Sequence, residues 1–265
     1  MITTTNPIVT CDKTTFPIYD LFDDLISLIF AQCVLKDFIN LKRTCQSMDH
    51  LGKVHVARLI DLGQIKTTSL LKFLTLPQLI HYIGTSKLNR LSLKCFVHIR
   101  NADITLIVQK FPRLKLLELA NSTITQIAFE EISQLTQLEC LSFISCNRIT
   151  NLDHLTKLTG LKWIRINSCK VKNLPSFDQW KYLETIEISC VNVESIPDFV
   201  DFNYLREISI RSCHRLKNLP TVGKLTTLTL FKFNHCNSIP WETTKEWVSK
   251  TRKLNPHCEF IYYKK

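Results

Sequence analysis

The residues of this chain that could do chemistry are its eleven cysteines and eight histidines, because thiolates and imidazoles are common nucleophiles, proton carriers and zinc ligands. No two cysteines form a Cys-x-x-Cys pair, and the sequence contains no His-Glu-x-x-His or Gly-x-Ser-x-Gly motif. Gly-rich phosphate-binding loops are absent too, and the chain has only five glycines. We therefore expect a protein that is not an enzyme, with no cofactor and no metal site.

Charge and hydropathy limit the class of partner. The formal net charge is +11, which admits an acidic protein, a nucleic acid or an anionic lipid as partner. The cations are spread along the whole chain and do not alternate with aromatic residues, so a basic surface that binds nucleic acid or membrane is the least favoured alternative. No apolar run approaches the ~18 residues that span a bilayer, and the first residues lack a signal-peptide pattern. We expect reduced cysteines and a cytoplasmic location.

Four of the eleven cysteines, Cys146, Cys169, Cys213 and Cys236, recur at one position of an internal repeat. The pattern is Leu-x-x-Leu-x-Leu-x-x-Cys, with Ile or Phe replacing Leu at some positions. Successive copies are separated by 26, 24, 23, 22, 22 and 23 residues, and they start at Leu88, Leu114, Leu138, Leu161, Leu183, Leu205 and Leu228. Cys190 stands one residue early in its copy, which predicts a local irregularity there. Seven copies of such length are typical of a repeat architecture.

Alternate residues of a strand point to opposite faces, so the first, fourth and sixth positions of each copy predict one apolar face that stacking must bury. The pattern resembles that of leucine-rich-repeat proteins. The resemblance implies an α/β fold, a leucine-rich-repeat solenoid with a curved parallel sheet on its concave side. Cysteine at the ninth position then has a structural role in the turn that leaves each strand.

The connections between strands differ along the chain. Leu-Pro or Ile-Pro pairs such as Leu174-Pro175 predict short extended or 3₁₀ connections in the later copies, because proline removes a backbone donor. Helical spacing over residues 103–111 and 127–135 predicts α-helices in the first two. Residues 241–253 predict an amphipathic helix with Trp247, Val248 and Leu254 near one face, followed by a strand over residues 258–262.

The segment before the repeats has two apolar stripes with helical spacing, at Leu21, Leu25 and Ile29, and at Phe38, Leu41 and Cys45. This stretch resembles an F-box, the three-helix motif that docks on a Skp adaptor. Leu21 matches the opening leucine of the motif, and Thr44-Cys45 matches its end. Phe22 stands where the motif usually has proline. The resemblance implies adaptor-binding residues at Leu21, Phe22, Leu25, Ile29, Phe30, Leu35, Asp37, Phe38 and Leu41.

An F-box ahead of leucine-rich repeats resembles the substrate receptors of Skp–cullin ubiquitin ligases, or a microbial effector that acts in the host cytoplasm. The partners would be a Skp-family adaptor, through it a cullin, and a protein substrate on the concave face. The alternative is a scaffold whose N-terminal helices only cap the first repeat. The predicted organisation is a disordered tail (1–15), an F-box-like helical domain (16–53), a packed helical linker (54–87), the repeats (88–240) and a C-terminal cap (241–265).

Geometry predicts which side chains face a partner. The third, fifth and seventh residues of each copy lie on the strand face opposite the apolar one. A tryptophan among charged residues there is typical of binding hot spots, and an ordinary solvated face is the alternative. The predicted concave-face site comprises Trp163, Arg165, Asn167, Glu187, Glu207, Arg211 and Lys232.

Overall fold

The computed structural model describes residues 88–94 and 99–263, together with residues 76, 77 and 80. The chain divides into two compact units, residues 1–58 and 59–265, and all described residues belong to the second. The predicted F-box-like domain and tail therefore lie outside the described residues, as does most of the predicted linker.

One parallel sheet organises this unit. Its eight strands are ordered as they occur in the chain, which is the topology of a solenoid. They are β1 (Arg90–Leu93), β2 (Leu116–Ala120), β3 (Cys140–Ile144), β4 (Trp163–Asn167), β5 (Thr185–Ser189), β6 (Glu207–Arg211), β7 (Leu230–Asn234) and β8 (Glu259–Tyr262). The predicted α/β leucine-rich-repeat solenoid is confirmed.

Equivalent positions of neighbouring repeats pair across the sheet. Ile164 of β4, for example, is opposite Leu141 of β3 and Ile186 of β5, and all three side chains are fully buried. Burial of one such side chain contributes about 1.5–3 kcal/mol. Repetition along seven registers makes one continuous core between the sheet and the connecting segments, as the first, fourth and sixth positions predicted.

The turns that leave the strands show the predicted irregularity. Five repeats place a residue with positive φ directly after the strand, at Asn121, Ser145, Ser168, Ser212 and His235. The corresponding residue of the fifth strand's repeat is Cys190, which has no positive φ, and the β5–β6 ladder is one residue pair shorter than the β4–β5 ladder. Cys190 instead directs its thiol to the Ile166 carbonyl of the preceding repeat, at 3.5 Å.

The connections follow the sequence pattern. The two long ones contain α1 (Asn101–Lys110) and α2 (Gln126–Ile132), and a later one contains a 3₁₀ helix at Asp153–Lys157. The start of α1 is fixed by Asp103, whose carboxylate accepts a hydrogen bond from the Arg100 backbone N–H at 2.8 Å. Short extended bridges pair Asn173 with Ser195 and Phe199 with Val222. These observations confirm the predicted helical and extended connections, and the 3₁₀ helix lies in the third copy, which has no Leu-Pro pair.

The last helix, α3 (Trp241–Leu254), packs on the final repeat through aromatic contacts. Trp247 makes an edge contact with Phe231, with ring centroids 5.0 Å apart, and its indole N–H donates to the Pro220 carbonyl at 2.8 Å. The buried face comprises Thr244, Val248 and Thr251. The prediction that Leu254 belongs to this face was wrong. Leu254 is the last residue of the helix and is half exposed.

Candidate binding face of the repeat sheet

The sheet face opposite the core carries the residues that the sequence predicted as a site. We call it the polar face, and it is formed by the third, fifth and seventh residues of each repeat. Parallel register aligns equivalent residues in rows, so Trp163 lies beside Thr185, Arg165 beside Glu187, and Asn167 beside Ser189. Side chains from different repeats can therefore bond across strands.

Four of the predicted site residues form one cluster around the Glu187 carboxylate. One carboxylate oxygen accepts hydrogen bonds from Arg165 Nη2 at 2.8 Å and Trp163 Nε1 at 3.2 Å. The other oxygen accepts from Arg211 Nη2 at 3.3 Å. The Arg165 guanidinium also lies over the Trp163 ring, 5.0 Å from its centroid. We call these four residues the Glu187 cluster. Three adjacent strands hold it in place.

The cluster changes the prediction for Trp163. The sequence predicted an exposed tryptophan in need of a partner, but the side chain is half-buried and already bonded within the chain. Arg165 and Arg211 keep 30% and 48% of their side-chain surface exposed, against 15% for Glu187. The cluster therefore presents an indole edge and two guanidinium groups to solvent, with the carboxylate beneath them. That arrangement suits carbonyl or carboxylate acceptors.

The remaining predicted residues lie outside the cluster. Glu207 and Lys232 pair with each other at 2.8 Å across β6 and β7. Asn167 lies on the polar face, and its side-chain oxygen accepts a hydrogen bond from the neighbouring Ser168 hydroxyl. The structure thus places all seven residues on one face but brings only four of them together.

Two serines of the polar face were not predicted as buried. Ser142 and Ser209 occupy fifth positions, yet they are 0% and 1% exposed, and neither hydroxyl has a hydrogen-bond partner among the described residues. Each lies between longer neighbours in its row. Ser209, for example, is flanked by Glu187 and Lys232. The sequence signal that could have predicted their burial is a short side chain at the fifth position of one repeat with longer side chains at the fifth positions of the two neighbouring repeats.

The entry side of the strands carries a ladder of alternating charge. Glu139 pairs with Lys115 and Lys162, each at 2.8 Å. Hydrogen bonds from Lys115 and then Lys162 lower the pKa of the Glu139 carboxyl below its usual 4.5. The charges of these three successive repeats therefore pair with one another within the chain.

The cysteines stack beneath the turns, away from the polar face. Cys146, Cys169, Cys190, Cys213 and Cys236 are free and buried in successive repeats. Most donate to a backbone carbonyl two residues earlier, as Cys213 does to Arg211 at 3.4 Å. Burial raises the pKa of the separate Cys258 thiol to about 11. No set of three potential metal ligands occurs among the described residues.

The fold and the polar face together define a leucine-rich-repeat solenoid, a class that rests here on the order and register of the eight strands. No family model matches the chain, and no curated protein matches it. The chain is similar to the solved leucine-rich-repeat domain of the type III effector XopL, with 15% identity, a TM-score of 0.49, and coverage of 95% of this chain and 97% of that one.

Two further solved structures are similar over part of the chain. An internalin (InlF) from Listeria monocytogenes has 11% identity and a TM-score of 0.32, covering 61% of this chain and 66% of that one. The structure of a TLR13–ssRNA13 complex has 14% identity and a TM-score of 0.38, covering 64% of this chain and 28% of that one.

The other predicted features concern the membrane and the adaptor. Within the part of the chain that the structure describes, no helix is both long and apolar enough to cross a bilayer. The predicted adaptor-binding residues, from Leu21 to Leu41, lie outside the described residues. Their assignment stays a prediction from the sequence.

Proposed function

We propose that this chain is a non-catalytic binding protein that holds a protein partner on the polar face of its repeat sheet. The Glu187 cluster is the observation that carries this proposal. Its indole and two guanidinium groups come from two strands, and the Glu187 carboxylate of the strand between them holds all three groups before any partner arrives. Binding therefore costs less ordering entropy than it would for free side chains. Tryptophan and arginine are also the residues most enriched in binding hot spots.

The finer proposal is that the partner is delivered to a ubiquitin ligase. The support is the F-box resemblance of the N-terminal segment, with Leu21, Leu25 and Ile29 at the positions of the motif's first helix. In this proposal the N-terminal segment binds a Skp-family adaptor and through it a cullin, in the cytoplasm. The ligase then performs the transfer, and this chain supplies no catalytic group.

The adaptor proposal is tested by co-purification with a recombinant Skp adaptor. We expect the wild-type chain to retain the adaptor, and Leu25→Asp and Ile29→Asp to lose it, since a carboxylate cannot be buried in an apolar interface without a large desolvation cost. Ser27→Asp is the matched control because it adds the same charge within the same predicted helix but away from its apolar stripe. No complex with the wild type, or retention of the adaptor by Leu25→Asp and Ile29→Asp, would favour the scaffold alternative.

The polar-face proposal is tested separately, by quantitative affinity purification from cells. We compare the wild-type chain with Trp163→Ala and with Lys224→Ala, a control at an exposed position away from the polar face. For a partner that binds the Glu187 cluster, the amount recovered should fall about tenfold with Trp163→Ala, which is the loss typical of a hot-spot residue. A partner set identical in all three samples would contradict the proposed face.

A further inference from the structure

A strip of cations runs along the side of the unit where the strands end. In four successive repeats a buried apolar residue follows the strand, at Ile149, Val171, Val193 and Leu216. The residues directly before and after these anchors point outwards. Five of them are exposed cations, which we call the basic edge: Arg148, Lys170, Lys172, Arg215 and Lys217.

Backbone hydrogen bonds hold the basic edge in register. The Glu194 N–H donates to the Lys172 carbonyl at 2.8 Å, and the Lys217 N–H donates to the Glu194 carbonyl at 2.9 Å. Repeats that pair in this way lie about 4.8 Å apart. The strip therefore spans about 15 Å from the repeat of Arg148 to that of Lys217.

The positive charge of the basic edge is not neutralised by the chain. The acidic residue within the strip is Glu194, whose carboxylate pairs with the Lys217 ammonium at 2.6 Å. Lys217 first, and then Lys172 and Arg215 through space, lower the pKa of that carboxyl. Among the described residues no ion pair joins Arg148, Lys170, Lys172 or Arg215 to an acid. Five cations against one carboxylate leave a net charge of +4 on this strip.

The entry side of the same strands provides a comparison, because its charged residues alternate in sign. There Lys115, Glu139, Lys162, Glu184 and Arg206 alternate in sign along five repeats, and Glu139 bonds both of its lysine neighbours. The two sides have the same backbone geometry and the same spacing. The excess of cations is therefore specific to the basic edge, and it gives this surface a positive potential that attracts negatively charged groups.

We propose that the basic edge binds an acidic, extended segment of a protein partner. The basic edge shares no residue with the polar face or with the predicted F-box, so the inference depends on neither. An extended segment of about five residues covers the 15 Å strip at roughly 3.3 Å per residue. Acidic residues at its two ends would meet Lys170 and Lys172 on one side of Glu194, and Arg215 on the other.

The details of the strip favour a peptide over a nucleic acid. Glu194 interrupts the positive charge at its centre, where a phosphate backbone would bring a further negative charge but a peptide can present an amide N–H. Most flanking residues are serines and asparagines such as Ser168, Ser212, Asn173 and Asn218, and His214 is half-buried, so the edge offers no row of aromatic side chains on which successive bases could stack. Val191, which is 49% exposed beside this strip, suits contact with an apolar side chain.

The test measures binding of a fluorescent peptide of about five residues, with glutamates at both ends and an uncharged centre, to the full chain by fluorescence anisotropy. The site variant is Lys172→Glu with Arg215→Glu. The control is Lys224→Glu with Lys253→Glu, which changes the net charge equally at exposed positions elsewhere in the unit. We expect the site variant to weaken binding about tenfold or more and the control less than about threefold, because only the former removes close charge pairs.

Three results would overturn the proposal. One is no binding of the peptide to the wild-type chain at about 100 µM protein in low salt. Another is an equal loss in both variants, which would assign the attraction to the net charge alone. The third is tighter binding, with the same site dependence, of a polyuridine oligonucleotide or of phosphatidylserine vesicles. A Trp163→Ala variant that binds the peptide as the wild type does would further separate this surface from the polar face.

Discussion

The Glu187 cluster makes a quantitative prediction about the polar face. If the cluster is formed in the free protein, then Arg165 and Glu187 are energetically coupled. Their hydrogen bond is 2.8 Å long, with 30% and 15% of the two side chains exposed. A charge-assisted bond contributes roughly 1.5–3 kcal/mol when buried, and an exposed ion pair about 0.2–1 kcal/mol. Partial screening places the expected coupling at about 1–2 kcal/mol.

A double-mutant cycle measures this coupling. The variants are Arg165→Met, which keeps the aliphatic stem, Glu187→Gln, which keeps the shape, and the pair together, each unfolded in urea. Glu242 and Lys245 of the last helix are the control cycle, since their side chains are 80% and 49% exposed. Their coupling should stay below about 0.5 kcal/mol.

The outcome decides between an organised site and an ordinary solvated face. A coupling for Arg165 and Glu187 that is no larger than that of the control pair would refute the reasoning, because it would mean that the cluster is not held together in solution. A coupling that survives in about 1 M salt would indicate that short-range hydrogen bonds, rather than screened charges, orient the two side chains.

Three more predictions concern the unit that carries both surfaces. Asn255→Ala should cost about 2–4 kcal/mol in urea unfolding, since its side chain bonds three backbone groups of the last repeat and helix, and the exposed Asn237→Ala should cost almost nothing. Glu139→Gln should cost less than about 1 kcal/mol at neutral pH. Because the folded-state pKa of that carboxyl is depressed, the difference should be lost as the pH falls below 4.5 and through the folded value, which a pH series of unfolding curves would reveal. Cys258, whose pKa burial raises to about 11, should react with a maleimide far more slowly in the native chain than in urea, as mass spectrometry can measure.

The repeat and its irregularity could be read from the sequence because the pattern is periodic. Apolar residues recur with a period of two along the strands, so Leu, Ile or Phe at the same positions of seven copies predicted the sheet, its parallel order and its core. Cys190, one residue out of phase, predicted the turn that differs. The connections were also predictable, since proline and helical spacing act locally.

The composition of the candidate site was predictable but its bonding was not. Position in the repeat placed Trp163, Arg165 and Glu187 on one face. Which donor reaches which acceptor depends on rotamers and on distances between strands, and these are set only when the repeats stack. The burial of Ser209 has the same origin, because its cover comes from side chains of the strands on either side.

The sequence by itself determined the fold of the repeats, because each repeat carries the same short-range pattern and stacking merely adds one copy to the next. Tertiary structure alone decided how the surface charges are satisfied. Residues more than twenty positions apart in the chain become neighbours only in the stacked sheet, such as Arg165 with Glu187 and Lys172 with Glu194. On the entry side of the strands, stacking pairs Glu139 with Lys115 and Lys162, whereas the basic edge keeps a net positive charge.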